Sequence, residues 1–174
     1  KSIKEVANEL SAKVGEKIDL RRLEVLMNGM GSVSTYLHSG KIGAAVTFDG
    51  SDVEAARDIA MHIAATAPAA LDETEISEDL LERERNIYIG QAESSGKPKE
   101  IIEKMVAGKI KKFIKENTLV GQAFVKDQDL TVREFAKSKG LALISFTRMA
   151  VGDGIERKTE DFAEEVAKQV GKKK

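Results

Sequence analysis

Residues 32–49 have the sequence SVSTYLHSGKIGAAVTFD, and this stretch decides the fold. Residues 32–38 and 42–49 are rich in valine, isoleucine, threonine, tyrosine and phenylalanine, which favour β-strands. Ser39-Gly40 lies between the two runs, and Gly50 follows the second. Two strand-like runs separated by a short glycine-containing turn predict an antiparallel β-hairpin.

Amphipathic helices are predicted on both sides of this hairpin. Ser2 and Glu5 have the spacing of a capping box, and apolar residues at helical spacing then predict a helix over residues 2–13. The same spacing of cap residues precedes two later helices, at Ser51 with Glu54 and at Thr131 with Glu134. The helix after residue 51 is expected to end before Pro68, because the residue before a proline disfavours helical geometry.

Two further segments are predicted to be strands. Residues 17–27 alternate between apolar and polar side chains, with a slip at Arg21-Arg22 that suits a bulge. Residues 141–151 are partly apolar on both faces, which is typical of a central strand that is covered on both sides.

A pair of charged, amphipathic helices is predicted between these segments. The first begins after Ser77, and glycine and serine residues interrupt the pattern at 94–96. The second is expected to have Pro98 at its first helical position. Two such helices joined by a short turn form an antiparallel helical hairpin, or short coiled coil. A last amphipathic helix is predicted to begin after Thr159.

The order of these elements predicts an α+β fold: a small antiparallel sheet packed with helices, an inserted helical hairpin and a C-terminal helix. We expect four units along the chain. They are a first core subdomain remnant over 1–31, a second core subdomain over 32–70 and 120–154, the inserted hairpin domain over 71–119, and a C-terminal helical module over 155–174.

Composition excludes several classes of function. The chain has 174 residues, a net charge of -1 and no cysteine, so disulfides and thiolate chemistry are excluded and nothing global favours nucleic acid. No apolar run approaches the roughly 20 residues that a membrane span needs. We therefore expect a cytoplasmic protein that binds neither membranes nor nucleic acids directly.

Motifs for catalysis or for cofactors are missing from the sequence. It contains no phosphate-binding glycine motif, and its two histidines, His38 and His62, do not have the spacing of a metal site. His62 is expected to be a hydrogen-bonded packing residue, whereas His38, at a strand end, is open to either a structural role or an interface. We expect no catalytic residues, no cofactor and no metal, and the residues alone favour an interaction protein over an enzyme.

Six short motifs, taken in order, resemble the bacterial-type translation elongation factor Ts family and cover nearly the whole chain. They are Lys13–Arg22, Tyr36–His38 followed by Lys41–Gly43, Asp58–Ala65, Ser95–Met105, Leu119–Val125 and Val151–Glu156. The resemblance implies a guanine nucleotide exchange factor that binds the GDP form of the GTPase elongation factor Tu and promotes GDP release. It also implies that the helical hairpin, residues 77–116, corresponds to a projecting coiled coil that mediates self-association in some members.

The resemblance also nominates partner-binding residues. In the family, the core and the C-terminal helix contact the nucleotide-binding domain of the GTPase. The matching positions here are Val14, His38 and Phe162. Without the resemblance, Val14 and Phe162 would be interpreted equally well as core residues.

One departure from the family pattern affects the expected activity. The family has a Thr-Asp-Phe-Val motif that wedges near the Mg²⁺ site of the GTPase, and this sequence does not contain it. Thr159-Glu-Asp-Phe162 has similar letters but matches the C-terminal helix, so the role is not transferred to it. We therefore expect a C-terminal portion of such a factor, impaired in exchange. The alternative is a helical-hairpin dimerisation or scaffold module without exchange activity. A small hydrolase or an RNA-binding domain is disfavoured.

Overall fold

A computed structural model describes residues 1–26, 31–94 and 96–154. The helices are α1 (Ile3–Val14), α2 (Val53–Thr66), α3 (Glu78–Glu93), α4 (Lys99–Asn117) and α5 (Val132–Ser138). The strands are β1 (Ser32–His38), β2 (Ile42–Asp49), β3 (Ala123–Phe124), β4 (Asp127–Thr131) and β5 (Ala142–Ala150). Helices therefore combine with small antiparallel sheets, which confirms the predicted α+β class.

The predicted β-hairpin is present and forms part of a three-stranded antiparallel sheet with the order β1-β2-β5. Ser39 and Gly40 both have positive φ angles, of 50° and 68°. The Lys41 amide donates to the His38 carbonyl at 2.9 Å, which closes the turn. Two positive φ angles in succession give a turn whose twist matches that of the strands it joins.

The main core lies between this sheet and α2. Val46 and Phe48 of β2 and Ile59 and Ile63 of α2 are fully buried, and Val132 of α5 closes the same cluster. Burial of large apolar side chains is the main favourable contribution to folding, at about 1.5–3 kcal/mol for each side chain of this size. Strand β2, which carries Val46 and Phe48, therefore anchors the β1/β2 hairpin on this core.

Helices α3 and α4 form a second, smaller apolar cluster around Ala92, Val106 and Ile110. The Ser77 side chain caps α3 by accepting a hydrogen bond from the Leu80 amide, as predicted. Pro98 lies one position earlier than predicted, because it is the N-cap of α4 rather than its first helical residue.

Helix α1 has the predicted capping box, in which Ser2 and Glu5 each accept a hydrogen bond from the other's backbone. It ends at Gly15, whose φ of 79° is the left-handed conformation that favours glycine. None of its residues is buried. Its apolar stripe is therefore exposed in the part of the chain that the structure describes.

The predicted strand over residues 17–27 is wrong for the described part, residues 17–26, which form no strand. Side chains hold this segment in place of a backbone ladder. The Ser11 hydroxyl accepts from the Ile18 amide at 2.8 Å, and Glu24 accepts from the Thr147 hydroxyl at 2.7 Å. Alternating apolar residues are not sufficient for a strand, because a strand also needs a neighbour that supplies backbone hydrogen bonds.

The prediction that residues 141–151 form a strand is confirmed, but the prediction that it is central is wrong. Strand β2 is central, and β5 is paired with β2 alone among the described strands. Apolar side chains on both faces indicate that the faces of a strand are covered, but they do not indicate how many strands flank it. Burial follows the sheet order, since Val46, Thr47 and Phe48 of β2 are all buried.

Three smaller differences concern local structure. Asp52, rather than Ser51, caps α2, because its carboxylate accepts from the Ala55 amide at 3.0 Å. The short pair β3 and β4 was not predicted, since β3 has only two residues and the five residues of β4, DQDLT, do not alternate between apolar and polar. The predicted C-terminal helix after Thr159 lies outside the described residues.

Candidate partner-binding site

His38 lies at the end of β1, beside the turn that leads into β2. Its ring stacks on Tyr36, with centroids 6.2 Å apart, and its Nδ1 lies 3.2 Å from the Tyr36 hydroxyl. Leu37, between them, is 69% exposed. Because successive side chains of a strand point to opposite faces, Leu37 lies on the other face of β1 from Tyr36 and His38, opposite Gly43 of β2. The end of β1 therefore presents hydrogen-bonding rings on one face and exposed apolar area on the other, and both kinds of group occur in protein interfaces.

Val14 is the last residue of α1 and is 60% exposed. The interpretation of Val14 as a core residue is therefore wrong for the described structure. The exposed side chains of Ile3, Val6 and Leu10 lie on the same helix. Val14 is therefore available for a contact with a partner, although its role in binding stays a prediction.

The structure places two of the three nominated residues. Val14 and His38 are both on the surface, and no hydrogen bond, ion pair or ring contact joins them in the described residues. Phe162 lies outside the described residues. A joint surface of all three stays a prediction.

A set of contacts around Asp153 was missed by sequence reasoning. The Asp153 carboxylate lies 3.4 Å from the Arg22 guanidinium and 3.8 Å from that of Arg148, and it accepts from the Ala150 amide at 3.1 Å. Arg21 donates to the carbonyls of Asp153 and Gly154. These contacts hold residues 21–22 against the end of β5.

The sequence contained two signals for this cluster, the Arg21-Arg22 pair and the glycine-flanked Asp153. Because Arg22 and Asp153 are 131 residues apart, no local pattern could connect them. The exposed ion pair contributes little by itself, at about 0–1 kcal/mol. The hydrogen bonds from Arg21 to the carbonyls of Asp153 and Gly154 add to it and hold the segment after α1 in place.

His62 is fully buried, as the packing interpretation expected. Its Nδ1 accepts from the Val125 amide at 3.2 Å, so the proton of the neutral ring is on Nε2, which donates to the Gln122 side chain at 2.9 Å. Gln122 in turn donates to the Glu116 carbonyl near the end of α4, at 2.8 Å. Burial lowers the pKa of His62, and the hydrogen bond to Gln122 opposes that shift.

Stability is expected to fall as pH decreases below about 6.5, the ordinary value for histidine. In that range the unfolded chain binds a proton at His62 that the folded chain excludes, because its pKa is lowered on folding. The contribution of one proton is at most about 1.4 kcal/mol per pH unit. Urea unfolding between pH 7.5 and 5 measures this change in the free energy of unfolding.

The matched variants for this measurement are His62→Gln and His38→Gln. The first is expected to flatten the dependence of the free energy of unfolding on pH. The second is expected to keep it, because it leaves His62 and its partners Val125 and Gln122 unchanged. An unchanged slope in His62→Gln would show that other groups cause the dependence.

The described residues contain neither a candidate metal site nor a candidate membrane span. No cluster of three or more histidine, cysteine, aspartate or glutamate side chains that could hold a metal ion occurs among them. Within the same residues, no helix is both long and apolar enough to cross a bilayer.

Comparison with known proteins decides the family. The family model described as Elongation factor TS matches residues 1–153. The chain belongs to the elongation factor Ts family.

Individual members of the elongation factor Ts family give the same result. The elongation factor Ts of Thioalkalivibrio sulfidiphilus is 51% identical over 169 residues, which are 97% of this chain and 58% of the relative. Elongation factor Ts of Methylococcus capsulatus is 47% identical over the same shares of both chains. Elongation factor Ts of Idiomarina loihiensis is 45% identical, again over 97% of this chain and 58% of the relative. The chain thus spans somewhat more than half the length of these relatives.

Proposed function

We propose that this chain binds elongation factor Tu and promotes the release of GDP from it, with docking better preserved than exchange. The observation that carries the proposal is the family match over residues 1–153. Relatives named elongation factor Ts share about half of their aligned residues with the chain, which supports the same kind of partner.

The described surface supports the docking part of the proposal. His38 and its neighbour Leu37 are exposed at the end of a sheet whose other residues anchor the main core. Val14 is exposed at the end of α1. Docking surfaces on rigid elements lose little conformational entropy when a partner binds.

The proposed mechanism contains no covalent step, so the chain is not proposed as an enzyme. An exchange factor accelerates release by binding the GTPase more tightly in the state with weakened GDP contacts. By thermodynamic linkage, if the chain weakens GDP binding tenfold, GDP weakens binding of the chain tenfold, which corresponds to about 1.4 kcal/mol. The chain is therefore expected to bind the nucleotide-free GTPase more tightly than the GDP-bound form.

Exchange is proposed to be impaired because the sequence has no Thr-Asp-Phe-Val motif. In this proposal, Val14, His38 and Phe162 supply contacts that bind the GTPase. The motif, which the family places near the Mg²⁺ site, would supply the contact that distorts the nucleotide site. Binding of the GTPase and distortion of its nucleotide site are separable. Contacts that are equal in the GDP-bound state and in the state with weakened GDP contacts add affinity only, whereas contacts that differ between the two states shift their populations.

Stopped-flow release of a fluorescent GDP analogue from elongation factor Tu tests the proposal. With the chain in excess, the release rate is expected to exceed the intrinsic rate but to stay well below that produced by a full-length relative. Release at the full-length rate would contradict the impairment. The absence of any complex with the nucleotide-free GTPase in size-exclusion chromatography would contradict docking itself.

The second candidate is a dimerisation or scaffold module, and the observation that favours it is the exposure of Ile87 on α3 and Ile101 on α4. In that case the chain would self-associate with increasing concentration and would form no complex with the GTPase. Sedimentation of the chain alone and in mixture with the GTPase distinguishes the two candidates.

A further inference from the structure

A long groove lies along α4, where the helical hairpin meets the body of the protein. Its volume is about 1170 Å³, and its lining runs from Lys99 to Lys115 on α4 and continues to Gly121 and Arg133. The seventeen residues from Lys99 to Lys115 correspond to about 25 Å of helix. The groove is therefore long enough for an elongated ligand such as a helix of four turns.

The floor of the groove is aliphatic. Its larger apolar residues come from α3, α4 and the short helical turn after α4, and they are Ile89, Ile102, Val106, Ile110, Ile114 and Val120. Val106 and Ile110 also hold α3 against α4, so the floor is a fixed part of the fold. An aliphatic floor of this length matches the apolar stripe of an amphipathic helix.

The rim of the groove is basic, although the chain as a whole has a net charge of -1. Three acidic residues line it, Glu73, Glu93 and Glu103. Seven basic residues line it, Arg85, Lys97, Lys99, Lys111, Lys112, Lys115 and Arg133. In the described part of the chain, Lys112 pairs with Glu116, whereas Lys99 and Lys111 form no ion pair.

Lys109 shows that the basic residues of α4 are divided between two faces. Its ammonium group contacts the side chain of Gln91 and lies over the Tyr88 ring, outside the groove. Lys111 and Lys115 instead line the groove. The lysine cluster in the sequence is therefore not one surface, and only part of it adjoins apolar side chains.

We propose that this groove binds an acidic amphipathic helix of a partner protein, at a surface separate from Val14 and His38. The apolar stripe of the helix would cover the aliphatic floor, and its carboxylates would face the basic rim. Charge complementarity of this kind raises the association rate and selects the partner. A single-stranded nucleic acid is disfavoured, because none of the described lining residues is aromatic and bases bind by stacking.

The probe for this proposal is a fluorescein-labelled synthetic helix of 16 residues, with leucine at helical spacing and glutamate at the other positions. Fluorescence anisotropy is expected to show micromolar binding that weakens as salt rises, because the rim charges are exposed. The same peptide with lysine in place of glutamate is expected not to bind. Equal binding of both peptides would overturn the proposal.

A pair of matched double variants locates the site. Lys111→Glu with Lys115→Glu changes two groove lysines, one inside α4 and one in its last turn. Lys104→Glu with Lys137→Glu changes one lysine inside α4 and one in the last turn of α5, and neither lines the groove. The groove variant is expected to weaken peptide binding at least about tenfold and the control less than about twofold, with circular dichroism unchanged in both.

Three further results would overturn the proposal. An equal loss in both variants would indicate attraction by net charge alone. A labelled single-stranded RNA of ten nucleotides that binds more tightly than the peptide and competes with it would assign the groove to nucleic acid. Sedimentation as a dimer that excludes the peptide would assign it to a second copy of the chain.

Discussion

The Gly50→Ala variant is expected to lose roughly 3 kcal/mol or more of its free energy of unfolding. Gly50 has a φ of 131°, a region that side chains with a Cβ almost never adopt and that costs about 1–3 kcal/mol. A Cβ there would also lie 2.6 Å from the Gly140 carbonyl oxygen and 3.3 Å from the Leu141 Cα. Because both are backbone atoms, the end of β2 and the start of β5 would have to separate.

Gly40→Ala is the matched control for this variant. Gly40 also has a positive φ, of 68°, but no heavy atom lies within 4 Å of the position of its Cβ. Its loss is expected to be about 1–2 kcal/mol, the cost of the left-handed conformation alone. Urea unfolding of both variants measures the difference, and equal losses would show that the close approach at Gly50 relaxes without cost.

The Val14→Asp variant is expected to weaken binding to nucleotide-free elongation factor Tu by at least about thirtyfold, or about 2 kcal/mol. If Val14 lies in the interface, the new carboxylate would be buried against the partner without a compensating charge. Because Val14 is exposed in this chain, its own stability should change little. Isothermal titration with the nucleotide-free GTPase measures the affinity.

His38→Ala is expected to weaken the same interaction about tenfold, because it removes an exposed ring that stacks on Tyr36 at the end of β1. Val53→Asp is the control for both variants. Val53 is 56% exposed, similar to Val14, but it lies at the start of α2, by the opposite end of β2 from the His38 turn. If Val53→Asp weakens binding as much as Val14→Asp does, the nominated surface is wrong.

Local features of the fold could be predicted from the sequence because each depends on a few neighbouring residues. The β1/β2 hairpin follows from a glycine-containing turn between two strand-like runs, and its register follows from the turn. The capping boxes at Ser2 and Thr131 follow from side chains that reach backbone amides three residues away. Such contacts form in the same way wherever the segment lies in the protein.

The predictions that failed depended on distant residues. Residues 17–26 alternate like a strand, but their contacts with Thr147 and Asp153 are made by side chains. Strand β5 has the composition of a central strand, but it lies beside β2 alone among the described strands. In both cases the pattern describes one segment, whereas strand pairing is a property of two.

The features of the candidate site were likewise only partly predictable from the sequence. The ordered motifs nominated Val14 and His38, and their positions at the end of a helix and of a strand were predictable. The exposure of His38 was also predictable from its place beside a turn. The exposure of Val14 was not, because Val14 follows the same apolar periodicity as a core residue. Nor could the sequence divide the lysines of α4 between a face that contacts Tyr88 and a face that lines the groove.

The sequence by itself determined the family, the α+β class and the hairpin at residues 32–49, because ordered motifs and short-range hydrogen bonds are written in consecutive residues. The tertiary structure alone decided that β2 is central and that Gly50 allows close approach of two backbones. It also decided that His62 is held neutral between Val125 and Gln122 and that the basic face of α4 adjoins an aliphatic groove. Each of these depends on which distant segments pack together, and packing is set by the whole core rather than by any one stretch of the chain.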